Sequence, residues 1–197
     1  MRAALRSEAI LLSRRWPELL LLVFLSVCVG LYRTLGRGEV TAMRILTNQR
    51  FALLPCWALA EVVFRSRQGT PSIRVSVLSG HTRIGAFTAK LTVFLLLELI
   101  LDALGCAVGL VNKGCFSAAV LPPLLLRLFM DLGFSTVLQL IVQLPLKNPP
   151  TRYLLSGAAA LALGMPGGMD GISLAFSLIL LIVCPALAWR IVRRCEL

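Results

Sequence analysis

Glu61–Lys90 reads EVVFRSRQGTPSIRVSVLSGHTRIGAFTAK, and the fold turns on it. It is the longest polar interruption in the chain and holds its one histidine, His81. Apolar runs flank it on both sides. Of 197 residues, 58% are apolar, above the roughly half that is usual for soluble domains. A membrane-spanning helix needs ~20 mainly apolar residues, and several such runs fit. The expected class is therefore an all-α polytopic membrane protein. A protein surfaced by lipid meets soluble partners through its loops, so this loop is the expected handle for a cytosolic partner.

Working outward, six transmembrane helices are expected at roughly 17–32, 51–64, 91–111, 118–144, 152–165 and 172–189. The membrane domain is then 17–197, with 65–90 as its cytosolic loop. Residues 1–16 precede it as an interfacial amphipathic helix with Leu5, Ala9, Leu12 and Trp16 on one stripe. A signal-peptide reading of Leu19–Val27 is set aside because further apolar helices follow. The second run is short, so it either starts earlier, near Ile45, or bends at Pro55. Pro122-Pro123 are expected to distort the start of the fourth, and Pro166–Asp170 to form a tight break before the sixth.

Fourteen of the twenty Lys and Arg residues fall on the side of the N-terminus and five on the other, with Arg127 in the membrane. Counted this way, both termini and the 65–90 loop are cytoplasmic. The four arginines Arg33, Arg37, Arg44 and Arg50 of the first outer connection run against the trend. Net charge is +11, but no basic patch is interleaved with aromatics, so nucleic acid is not an expected partner. Anionic membrane lipid is. The six cysteines form no CxxC pair and read as small apolar residues; only Cys106 and Cys115 are placed to pair.

Inside the 65–90 loop, Thr70 can cap a helix, Pro71 suits its first turn and Gly80 its C-terminal end. Ser72–Ser79 is thus expected to form a two-turn helix. Inside the membrane, Glu98 and Asp102 lie four residues apart in the third span, and Arg127 and Asp131 four apart in the fourth. Gly105 and Gly109 continue the first face, and Ser135, Gln139 and Gln143 the second. Ionisable groups at that depth are costly and mark functional or helix-packing faces. Counted from Val111 and Ala118, Asp102 comes level with Arg127 and Glu98 with Asp131. An Asp102–Arg127 ion pair is the expected arrangement.

The motif residues resemble the signature of ABC-2-type transporter permeases. These are Glu61, Arg65, Arg67, Gly69-Thr70, Leu78-Ser79-Gly80-His81-Thr82-Arg83 and Lys90. The layout is similar too: an interfacial N-terminal helix, six spans and a coupling loop between spans 2 and 3. The chain departs in its small size, in the reduced segment before span 6 and in the distance from Glu61 to Gly-Thr. The resemblance implies that Thr70, Ser72, Ile73, Arg74, Val77, Leu78, Ser79, Gly80 and Arg83 form a coupling helix docking a cytosolic ATP-binding subunit. It also implies a second permease copy or a homologous permease chain as partner. The chain has no GxxxxGK[ST]; no cofactor is expected on it, and ATP and Mg belong to the partner.

The expected function is a permease subunit exporting an amphipathic or peptide-like substrate, with Glu61, Glu98, Asp102, Arg127 and Asp131 as the intramembrane polar cluster. The expected location is a bacterial cell membrane. Two rivals are the membrane-embedded binding component of an energy-coupling vitamin importer and a non-transporting scaffold. Enzymatic roles find little support. One histidine excludes HExxH-type sites, no GxSxG is present, and no further ligand completes a metal set around the carboxylates.

Overall fold

The computed structural model describes residues 2–35, 41–47, 51, 53–65, 72–78, 80–144, 149–163 and 171–194. Among them there are nine α-helices and no β-strand. They are α1 (Arg2–Ser13), α2 (Trp16–Thr34), α3 (Ala42–Thr47), α4 (Leu54–Phe64), α5 (Ser72–Leu78), α6 (Arg83–Asn112), α7 (Leu121–Gln143), α8 (Pro149–Leu163) and α9 (Gly171–Arg194). A 3-10 turn, Ala118–Val120, leads into α7.

Among the described residues four helices are long and apolar enough to cross a membrane: α2, α6, α7 (counted with its 3-10 turn) and α9. Large apolar side chains such as Leu21, Phe24, Ile100, Ile179 and Ile182 point away from the bundle, as a hydrocarbon surrounding would favour. At 30 residues, α6 extends about 45 Å. The expected second and fifth spans correspond to α4 and α8, of 11 and 15 residues. Both fall short of the ~20 residues that crossing takes.

Prolines sit where their missing N–H costs nothing. Pro17, Pro55 and Pro122 each open a helix in its first turn. The expected bend at Pro55 is therefore replaced by a clean helix start, while the expected distortion at the beginning of the fourth span is the 3-10 turn Ala118–Val120 ahead of Pro122-Pro123. The expected backward extension of span 2 is instead a separate helix, α3. Its Ile45 and Leu46 are buried against Cys106 and Leu110 of α6 and Leu124 and Leu128 of α7.

The bundle divides into two tightly packed pairs. In the first, α2 meets α6 along Ser26, Gly30, Gly105 and Gly109. A methyl group on Gly30 would run into the Gly105 carbonyl, and one on Gly109 would come 3.0 Å from Ile45 Cγ2. Ser26 Oγ donates to the Leu101 carbonyl in the same contact. In the second pair, Gly133 of α7 lies against the Ser177 backbone of α9, and Thr136 Oγ1 donates to the Leu180 carbonyl at 3.1 Å. Between the pairs stands α4, packing on both α6 and α7. Its Leu59, Ala60, Val63 and Phe64 share a core with Phe94, Leu101 and Val142. Direct α6–α7 contact is sparser than contact within either pair.

Candidate functional site

Two groups of polar side chains are positioned by this frame. The first lies where α1, α5 and the start of α6 meet. Residues 72–78 form the short helix expected from Pro71 and Gly80, and Gly80 adopts the left-handed conformation (φ 92°) that closes helices and favours glycine. Ile73 is buried with Ala86 and Phe87 of α6 and Ala188 of α9, and Val77 packs beside them. Leu78, at the free end, is 84% exposed. Thr82 caps α6, its Oγ1 accepting from Gly85 N at 3.2 Å. Arg83 is exposed and donates to the Arg193 carbonyl of α9 at 3.4 Å. Of the expected coupling residues, Thr70 and Ser79 lie outside the described residues, as do the side chains of Ser72 and Arg74. So does the expected break at Pro166–Asp170.

What ties this corner together is Glu8. Its carboxylate meets Lys90 Nζ at 2.5 Å and accepts from Ser76 Oγ at 2.8 Å. All three side chains are buried. Ser7 Oγ adds a contact to His81 Nε2 at 3.1 Å. Within α1, Ala4 and Glu8 face the bundle while Ala9 of the expected apolar stripe points away from it, as does Trp16, which opens α2. Sequence reasoning passed over Glu8. The available signal was a lone acid among four arginines in the first 16 residues.

At the same end, arginines close the ends of helices. Arg15 Nη1 donates to the Val62 and Arg65 carbonyls at the end of α4. Arg65 in turn donates to the Val142 carbonyl (Nε at 3.0 Å, Nη2 at 2.7 Å) and to the Leu144 carbonyl at 3.0 Å, at the end of α7. These carbonyls have no partner inside their own helices. Glu61, placed with the intramembrane cluster from sequence, pairs instead with Arg152 of α8 at 3.2 Å. One turn away Trp57 Nε1 donates to Ser156 Oγ at 2.7 Å. The two rungs join α4 to α8.

The second group is a row of buried charges where the two helix pairs meet. Arg127 is fully buried. It pairs with Asp131 one turn along α7 and donates from Nη1 to the Leu46 carbonyl of α3 at 2.6 Å. The expected Asp102–Arg127 pair is thereby corrected. Asp102 is engaged by Arg33 of α2, Nη2 to Oδ1 at 3.1 Å, and Arg33 Nη1 also meets Cys106 Sγ at 2.7 Å. Glycine-mediated contact with α6 brings the end of α2, and so Arg33, alongside Asp102. Arg33 is then an internal cation rather than a charge of the outer connection, which removes one of the four arginines that ran against the orientation trend.

The α6–α7 register also differs from expectation by one turn. Asp102 lies beside Asp131, and Ser135 Oγ donates to Glu98 Oε2 at 2.5 Å. Counted from the observed ends, Asn112 and Leu121, Asp102 and Asp131 are each ten residues in, and Glu98 and Ser135 each fourteen. The expectation counted α7 from Ala118, but Ala118–Val120 is a 3-10 turn outside the α-helix. Gln139 and Gln143 continue the row, buried, with none of their side-chain amide atoms hydrogen-bonded. Cys106 and Cys115, the two cysteines placed to pair, are free thiols. Among the described residues no group of three or more His, Cys, Asp or Glu side chains converges as a metal site. Compared with family models, with curated proteins and with solved structures, the chain finds no match.

Proposed function

We propose that this chain is the membrane subunit of an ATP-driven exporter, a permease of the ABC-2 type paired with a second permease chain. The observation that carries the reading is α5. It is a short helix held on one face by Ile73 and Ser76 and ended by a left-handed Gly80, and it offers Leu78 outward. A connecting loop has no need of such a docked helix; a surface on which a soluble subunit pushes does. In this reading α2, α4, α6, α7, α8 and α9 are six membrane segments, with α4 and α8 shielded by their neighbours. The interfacial α1, α5 and both termini face the cytoplasm of a bacterial cell. ATP and Mg are bound by the partner, whose closure moves α5 and with it α6. The cargo is amphipathic or peptide-like, passing beside the charged row.

The test asks whether the adjacent reading frame encodes a soluble ATP-binding subunit and whether that subunit co-purifies with the full chain. Wild-type protein is expected to retain that subunit, and Leu78→Asp or Gly80→Pro to lose it while eluting as a folded species in detergent. Retention of the subunit by both variants would overturn the coupling role of α5. Tight binding of a small vitamin-like ligand by the isolated chain would favour the importer component instead.

A further inference from the structure

The charged row contains two guanidiniums, Arg33 and Arg127, and three carboxyl groups, Glu98, Asp102 and Asp131, all buried. Guanidinium is always charged in proteins. Each arginine already has its aspartate: Arg33 takes Asp102, and Arg127 takes Asp131. Glu98 is left without a cation. The groups that face it are the Ser135 hydroxyl of α7, the Cys56 thiol of α4, and the carboxyls of Asp102 and Asp131. It is 1% exposed, and its Oε1 has no hydrogen-bond partner.

A lone carboxylate in such surroundings carries a desolvation cost that proteins avoid by neutralising the group. Neutrality of the whole row likewise requires one more positive charge than its side chains supply. We propose that Glu98 is the binding site for one exchangeable proton, held at the junction of α6 and α7. Among the described residues no group of three or more His, Cys, Asp or Glu side chains is arranged to hold a metal ion, and a proton needs only the free oxygen. One turn beyond Ser135, the fully buried Gln139 amide has neither polar atom bonded, so the path along α7 continues as a row of unsatisfied polar groups. Because Ser135 sits on the opposite helix, parting of α6 from α7 breaks its bond to Glu98 and admits water. The proton is loaded and released as the two helix pairs separate, a coupling that stands apart from the exporter reading.

The test is infrared difference spectroscopy on the full chain in lipid nanodiscs at neutral pH. The expected result is one protonated-carboxyl carbonyl band that shifts in heavy water and is lost in Glu98→Gln, whose amide is the neutral isostere. The band is also expected to shift when the wild-type chain carries 13C-glutamate and to stay when it carries 13C-aspartate. That arm holds even if the variant fails to fold. Absence of the band, its assignment to aspartate, or its disappearance when sodium replaces choline would each overturn the proposal, the last in favour of an alkali-ion site.

Discussion

Replacing Glu8 by glutamine leaves the Lys90 ammonium buried without a counter-ion, and the cost can be worked from the geometry. The two charges are 2.5 Å apart with both side chains nearly inaccessible. At an effective dielectric constant of ~20 their gross attraction is about 7 kcal/mol. Breaking one side of a buried pair leaves a net cost of about 3–5 kcal/mol, which for a chain of this size lowers the melting temperature by ~6–20 °C. Glutamine retains an oxygen for the Ser76 hydroxyl, so Glu8→Ala should cost a further ~0.5–1.5 kcal/mol by removing that hydrogen bond as well. The double variant Glu8→Gln with Lys90→Met removes both charges and should recover most of the loss, because apolar replacement of a whole buried pair is often neutral. Thermal unfolding in detergent, followed by tryptophan fluorescence, reads all three. Tryptic cleavage at Arg65, Arg67, Arg74 or Arg83 should accelerate in the single variants. A single-variant cost below ~1 kcal/mol, or a double variant no more stable than Glu8→Gln, would refute the reasoning.

Arg33→Ala is expected to destabilise by about 3–5 kcal/mol through an orphaned Asp102, and Arg33→Ala with Asp102→Ala by clearly less. A double-mutant cycle in thermal unfolding would show the coupling, and strict additivity would exclude the pair. Gly30→Ala places a methyl group on the Gly105 carbonyl and should cost about 1–3 kcal/mol or more from overpacking. Size-exclusion recovery of the folded chain measures it, with Gly157→Ala of α8, whose added methyl would meet only Trp57 at 3.9 Å, as the control for glycine loss alone.

Features set by short-range chemistry were legible in the sequence. Pro71 and Gly80 bracket seven helical residues because a fixed proline φ and a left-handed glycine are local requirements. The long apolar runs of α6 and α9 announce themselves by length. Arg33 was read as a loop charge because the apolar run stops at Tyr32, whereas its burial depends on Gly30 allowing α2 to reach the Asp102 side of α6. That is a tertiary fact with no local mark. Likewise α3 is only six residues long and is held by contacts to α6 and α7, so its periodicity is too brief to read. The level matching of Asp102 failed through three residues of 3-10 turn, which displaced the origin of the count.

That displaced count has a mechanical meaning. The charged row lies on a seam between the α2–α6 pair and the α7–α9 pair, and its acids and arginines repeat every four residues on both walls. A slide of one helical turn, about 5.4 Å, would set Asp102 against Arg127 and Glu98 against Asp131. Arg33 remains with Asp102 throughout, because its helix travels with α6. Both registers, one turn apart, would leave every guanidinium facing a carboxylate. Asp102 would exchange Asp131 for Arg127, and Glu98 would exchange its bond to the Ser135 hydroxyl for a level position with Asp131, so a step of one turn would bear directly on a proton held at Glu98.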